Sequence, residues 1–486
     1  MNRILERVPV SVLVSVLVSV LAGGYLASCA VNPVSGEREL TLMPESQEIA
    51  IGQQSALAAE SQLGLVDDPQ LQDYVQRLGA QLAAASERPE LPWTFRVLDE
   101  PAPNAFAAPG GYIFVTRGLL ALMDNEAELV SVLGHEIGHV TATHAVSQMS
   151  RQQLAQIGLG LGSMISPQVA KFGDLAAGGL EVLFLSYGRD DERQADDLGY
   201  RYALAQNYDV REMVDVFAAL QQSAALAGQS PVPTWMASHP YPAERIARIE
   251  EQLETLPASE SRRIGEADYL ARIDGLLYGP NPRNGYFESN EFYHPDLAFR
   301  IDMPAGWQTQ NLAQMVVAGS PDKDALIQLS MVPGARQEAA DKFFAQEGLT
   351  PGRVSAERIN GLAAMVGRFE VQTEQGQLGG MAAFVTLADN TYRILAYTPA
   401  QKLAGYERAF NGSIGSFRKL TDRAALARQP NRLAITRLPR AMTLTQFNRR
   451  YPSTIPLDEL ALINHLSGPD SSMPSNFPAK RVVDHR

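Results

Sequence analysis

The sequence predicts an α+β protein: a mainly helical amino-terminal domain with a small edge-strand sheet, then an α+β domain, then a small βααβ module. Three observations carry this. An amphipathic helical pattern runs from near Asn125 to about Ser147. After about residue 285 the periodicity changes from helical to alternating. The 486 residues also exceed what a single core holds, so more than one domain is expected.

Taken in order, Arg3 and Arg7 precede an apolar run from Val8 to about Leu21, and Leu26-Ala27-Ser28-Cys29 places small residues before the one cysteine. Basic, apolar and small-residue regions in that order read as a secretory signal, and the run is too short to read first as a spanning helix. The tetrapeptide resembles a bacterial lipobox, which implies cleavage before Cys29 and acylation of that residue. Ala30 in place of Asp then implies sorting to the outer membrane of a Gram-negative cell. Residues 1–28 are therefore expected as signal peptide, and the mature protein as periplasmic and lipid-anchored. Its net charge of about −14, with no basic patch, argues against a nucleic-acid partner. A single cysteine rules out an internal disulfide.

His135, Glu136 and His139 form an H-E-x-x-H pentapeptide within the amphipathic helix. One helical turn separates the two imidazoles, so both reach one Zn2+ while Glu136 stands beside the open coordination position. Asp124, Glu126 and Glu128 put negative charge at the helix start, where the helix dipole favours it. His144 follows His139 by five residues, which aims it away from the metal face, and it is set aside as a ligand. The third ligand is expected downstream. Tyr187 to Gly199 reads as a second helix with Glu192 and Asp196 on one face at i, i+4. Glu192 would ligate the metal, Asp196 would accept the second N–H of a ligating histidine, and Ala195 is small enough for close helix packing. Between the two helices, Ile157 to Leu185 is broken by Pro167, Lys171, Asp174 and Glu181 and is not a membrane span. Its glycines read as a mobile lid or as an irregular packing element.

The H-E-x-x-H helix followed by Glu192-Arg-Gln-Ala195-Asp196 resembles the M48 group of zinc metallopeptidases, which implies a zincin-type fold. Asn104 to Leu120 is similar to the segment ahead of that family's zinc helix. Asn32-Pro-Val-Ser-Gly-Glu-Arg-Glu-Leu40 resembles the start of its secreted lipoprotein members, and Ser238-His-Pro-Tyr-Pro-Ala-Glu-Arg245 the end of its catalytic domain. The likeness covers roughly residues 32–256, and the domain is expected over 29–257. Physically, Gly110 and Gly111 make a tight turn before the strand Tyr112–Thr116. With Asn104 they mark an expected sheet edge onto which an extended substrate adds as a strand. The resemblance also implies that His239 and Arg245 face the cleft. His239 would either donate to the developing oxyanion or, in a resting state, fill the vacant metal position. The expected activity is zinc endopeptidase, one Zn2+ per chain, with Glu136 as general base, acting on misfolded or stalled envelope proteins. The competing reading is a non-proteolytic envelope chaperone or scaffold with structural or latent zinc.

Residues 258–285 are polar, then turn-rich, and read as a linker. Leu297–Met303, Ala325–Val332, Gly380–Leu387 and Asn390–Tyr397 read as strands, and Glu338–Gln346 and Lys402–Ser416 as helices. Together they make an α+β accessory domain over 286–420, weakly similar to the PsbP-like fold and expected to bind substrate or partner. Residues 431–483 resemble a degenerate LysM module, which implies peptidoglycan contact, although Arg440-Ala-Met-Thr443 stands where Gly-Asp-Thr is expected. The bland alternative is a packing module.

Overall fold

The computed structural model describes residues 29–40, 43–158, 183, 185–226, 235–240, 242–257, 261–373 and 376–484. The expected signal peptide at 1–28 lies outside the described residues, as does most of the expected lid, at 159–182. The architecture is mixed α+β, with a mostly helical region ahead of separate sheet-rich regions. No helix among the described residues is long and apolar enough to cross a membrane.

The helical region opens with Glu45–Leu63 and Pro69–Ala83. Asp68 starts the second, its carboxylate accepting from Gln70 N and Leu71 N ahead of Pro69, whose missing N–H is no loss in the first turn. A three-stranded sheet follows. Thr94–Leu98 pairs parallel with Tyr112–Thr116, and Ala105–Ala108 pairs antiparallel with the other side of that strand. Tyr112–Thr116, expected at the sheet edge, is therefore the central strand. The edges are Thr94–Leu98 and Ala105–Ala108, the latter being the one that borders the cleft. The turn at Gly110 and Gly111, at φ of 76° and 100°, folds the Asn104 side back onto one side of the strand, and the distant Thr94–Leu98 takes up the other.

The histidine helix spans Glu126–Thr141, with the Asn125 side chain accepting from Glu128 N at its start. It stops short of the expected Ser147 because Thr143 turns left-handed at φ 59°, after which a new helix runs His144–Gly158. Carbonyls at this break also take donors from far along the chain. Arg88 Nη1 donates to Val140 O at 3.2 Å and Asn32 Nδ2 to Ala142 O at 3.1 Å.

The expected linker is structured. Glu266–Ile273 is a helix whose Tyr269, Leu270 and Ile273 are buried in the main core, and Leu277–Tyr278 pairs with Asn431–Arg432. After it a seven-stranded antiparallel sheet runs, in spatial order, 308–311, 315–319, 326–332, 390–399, 376–387, 362–373 and 349–359. Helix Leu403–Ser416 packs on one face, and helix Arg336–Phe344 on part of the other. The carboxy-terminal strands Asn431–Arg437 and Pro478–Asp484 flank helices Leu444–Arg450 and Leu457–Leu462. Their apolar residues, among them Leu433, Phe447, Leu460 and Val482, share one continuous core with the helical region.

Candidate metal centre

Packing between the histidine helix and Arg189–Ala205 comes first, because it sets every distance in the site. The two approach so closely that a Cβ on Gly138 would lie 2.9 Å from Ala195 O, and one on Gly199 would lie 2.7 Å from His135 N. Small residues at 134, 138, 195 and 199 are thus a condition of the site, and Ala195 was legible in that role from the sequence.

This approach, with the turn after Trp235–Ser238, gathers four buried donors. His135, His139, Glu192 and His239 each offer one atom, and all four atoms lie within 4.8 Å of one another. His135 Nε2 is 3.0 Å from His139 Nε2 and 3.1 Å from His239 Nδ1, while Glu192 Oε1 is 3.0 Å from His239 Nδ1 and 3.5 Å from His139 Nε2. Three ring nitrogens and a carboxylate that converge on one buried point take the arrangement of metal ligands. The donor set, three nitrogens and one carboxylate, fits a single Zn2+. Glu192 Oε2 is buried within 3.6 Å of His135 Nε2, so both carboxylate oxygens border the cluster.

The outer nitrogens are held as well. His135 Nδ1 lies 2.9 Å from Asp196 Oδ1, the partner expected from the i, i+4 spacing. His139 Nδ1 lies 2.9 Å from His144 Nδ1, and His144 Nε2 lies 2.9 Å from Gln194 Oε1. His144 is no ligand, as expected. It does not point away, however, because the break at Thr143 turns its ring back behind His139. The five-residue spacing on an assumed continuous helix hid this role, and no sequence signal marked the break.

Arg245, fully buried, locks the assembly. Its Nε and Nη2 donate to the two carboxylate oxygens of Asp196 at 2.8 and 2.7 Å, and Nη1 stands 2.8 Å from Glu192 Oε2 without hydrogen-bond alignment. Its guanidinium lies over Phe217 and Trp235, 4.5 and 4.7 Å from the ring centroids. Trp235 also stacks on His239 and Tyr187 on His139, at 4.7 and 3.9 Å. None of these aromatic walls was singled out in the sequence.

Electrostatics divide the carboxylates. Burial would raise Glu192, but the facing His239 and Arg245 and hydrogen bonds from His139 and His239 hold it well below its usual range, so it stays ionised. Burial lifts Glu136 to about 7, with the Glu192 charge adding to it and His139 and Trp235 opposing. Burial, then the Arg245 charge, pushes His135 down to about 3, which keeps its imidazole neutral as a ligand must be. Glu136 Oε1 accepts from Trp235 Nε1 at 3.4 Å, and its Oε2 has no hydrogen-bond partner. Beside the cluster, Ala107, Ala108 and Pro109 at the sheet edge line a cleft with His139, Val140 and Tyr187. Of the other expected substrate positions, Asn104 is buried at the start of the edge strand, and Gly110 N donates to Glu48 Oε1 at 3.0 Å.

Residues 69–253 match the model of Peptidase family M48. The chain is similar to the beta-barrel assembly-enhancing protease of Yersinia pestis, 30% identical over 48% of this chain and 49% of that one. To the protein of that name from Escherichia coli K12 it is 28% identical over 47% and 48%. It is also 28% identical to the mitochondrial metalloendopeptidase OMA1 of Schizosaccharomyces pombe, over 37% of this chain and 52% of that one. The chain thus spans about half the length of the curated relatives it matches. A solution structure of PsbP from the cyanobacterium Synechocystis aligns with 27% of the chain and 94% of its own at 12% identity, with a TM-score of 0.24.

Proposed function

We propose, from the M48-family zinc-metallopeptidase domain that residues 69–253 form, that the protein is a zinc endopeptidase of the bacterial cell envelope that cleaves misfolded or stalled envelope proteins. The observation that carries this is the convergence of His135, His139, Glu192 and His239 with a buried, partner-free carboxylate oxygen of Glu136 beside them. A scaffold has no use for that general base, so proteolysis is preferred over the chaperone reading. The names of the bacterial relatives, beta-barrel assembly-enhancing proteases, support the choice of envelope proteins as substrates.

Zinc, when bound by these residues, supplies Lewis acidity to the scissile carbonyl and to water. Glu136, lifted to about 7, takes the proton of the attacking water and returns it to the leaving amine. Arg245 acts through Asp196 and Glu192, holding both ionised and in place, and is a positioning residue. His239 Nδ1 faces the other donors, so we assign it the fourth ligand position of a resting, closed arrangement rather than an oxyanion contact. The substrate enters along the Ala105–Ala108 edge, whose end lines the cleft.

The remaining assignments belong to the same proposal. Cys29 is lipidated after removal of residues 1–28, and the protein is periplasmic at the outer membrane. Asn32, three residues on, is hydrogen-bonded to the end of the histidine helix, so the anchor would hold the site close to the membrane. We divide the chain into the peptidase region at 29–257, a connecting stretch at 258–285, a PsbP-like accessory region at 286–420 that binds substrate or partner, and a LysM-like module at 431–483. Peptidoglycan contact by the last is tested by sedimentation with cell-wall sacculi. The deciding experiment is cleavage of an unfolded model protein by the zinc-loaded chain beside Glu136→Gln. Turnover by the parent and none by the variant, at equal zinc content, is the expected result. Equal turnover would refute the peptidase reading, and so would none in either when His239→Ala, which opens the fourth ligand position, is inactive as well at equal zinc content.

A further inference from the structure

The seven-stranded sheet has two unequal faces. One is closed by helix Leu403–Ser416 and the small sheet around Phe292 and Ile301. On the other, helix Arg336–Phe344 lies over strands 349–359, 362–373 and 376–387. Beyond that helix, strands 308–311, 315–319, 326–332 and 390–399 present half-buried apolar side chains with no covering helix among the described residues. Val317 and Leu326 are among them, and Leu395 and Tyr397 border them, packed against the core beneath that helix.

On this open half of the face, the ladder register aligns Arg393 with Ser330 on one side and Phe384 on the other. Arg393 is the one charged residue that these four strands place there; their other residues on it are apolar, glutamine, serine, threonine, glycine or proline. Its Nη2 donates to Ser330 Oγ at 3.3 Å, a long contact to a neutral group, and its Nε is buried without any partner. No carboxylate among the described residues forms an ion pair with it. Burial holds the guanidinium below its ordinary value, although it stays protonated near neutrality. An ion placed on an apolar surface without a counter-ion is costly.

We propose that this face binds the carboxy-terminal end of an apolar polypeptide segment, its terminal carboxylate paired with Arg393. A planar guanidinium accepts a carboxylate on two parallel N–H donors, which supplies the missing partner. Val317, Leu326 and Leu395 receive the apolar side chains. Gln310 and Gln328, on the same face, offer both donors and acceptors to peptide groups, which a fatty acid would leave unused. This gives the accessory region a ligand chemistry and is independent of the peptidase reading, because no part of the metal centre takes part.

The test is fluorescence anisotropy of a labelled decapeptide ending in apolar residues, with a free carboxylate or a carboxy-terminal amide, titrated with the full chain. A Glu136→Gln background keeps the peptide intact. The expected result is that the acid binds roughly tenfold or more tightly than the amide, and that Arg393→Met brings the acid down to the amide's affinity. Ser330→Asp supplies an internal carboxylate to Arg393 and keeps the result decisive should Arg393→Met fail to fold. It too is expected to abolish the preference. Equal binding of acid and amide, no binding of either, or a preference that survives Ser330→Asp overturns the proposal. So does competition by decanoate equal to that of the peptide acid.

Discussion

The histidine helix bears two clusters of buried titratable side chains, one at each end, and they differ in kind. Toward its end, His135 and His139 meet Glu192 and His239, and the one cation beside them, Arg245, stands on their outer side, against Asp196, Glu192 Oε2 and His135 Nδ1. At its start, Asp124 and Glu128 meet His465, likewise within 4.8 Å, but there a cation is built in. Lys480, fully buried on the last strand, has its Nζ 2.7 Å from Asp124 Oδ1 and donates to the carbonyls of Ala121, Leu122 and Met123. His465 Nε2 lies 3.0 Å from Leu122 O. The ammonium caps the end of helix Arg117–Leu122, where the carbonyls are open and the dipole favours positive charge. Similar residue types therefore give opposite readings. Donors that converge on a point with no cation await a metal, whereas donors already arranged around an ammonium form a clamp that fastens residues 431–484 to the catalytic region.

The largest effect that would break this comparison is on metal content. Glu192→Ala should lose stoichiometric zinc and lower turnover by roughly 10³-fold or more, while Glu128→Ala should keep its zinc, as read by elemental analysis of the purified variants. Equal zinc loss in both would erase the distinction. Next in size, Lys480→Met leaves Asp124 and three carbonyls without their donor and should cost about 3–5 kcal/mol in urea unfolding. The metal affinity of its folded fraction should stay unchanged, and a stability equal to the parent's would mean the clamp is idle. Smaller again, Asp196→Asn should weaken zinc binding about 10–100-fold in a chelator competition, because the His135 imidazole loses its charged partner.

The smallest effect concerns pH. Burial, then the charge of Asp124, lifts Glu128 well above the usual carboxylate range. A carboxyl raised on folding binds its proton more tightly in the native state, so stability falls as pH rises from the ordinary value toward the folded one. Glu128→Gln should therefore gain melting temperature relative to the parent across that window and show no gain below it. A difference independent of pH would place the titration elsewhere.

Legibility followed the range of the interaction. His135, Glu136 and His139 lie on one turn of helix, and Glu192 and Asp196 on one turn of another, so local periodicity revealed each pair and chemistry joined them. Strands 326–332 and 390–399 were legible in outline because each has one closed face, and 376–387 because its middle is a continuous buried run covered on both faces. The hairpin of strands 349–359 and 362–373 was missed, since its outer strand is largely exposed and polar and carries no alternation to read. His144 was misdirected by one left-handed residue. The helix Glu266–Ile273 was read as linker because its three core residues come amid polar ones.

By itself, then, the sequence determined the metal chemistry, since ligand identity and one-turn spacing are properties of short segments. It also determined the order of helical, mixed and βααβ regions, which hydrophobic periodicity encodes. Only the tertiary structure decided that Tyr112–Thr116 is central and Ala105–Ala108 the edge that borders the cleft, that His144 stands behind His139, and that Lys480 clamps the start of the histidine helix. Those facts depend on contacts between residues tens to hundreds of positions apart, and the energy of such a contact is set by which surfaces exclude water together, which no local pattern records.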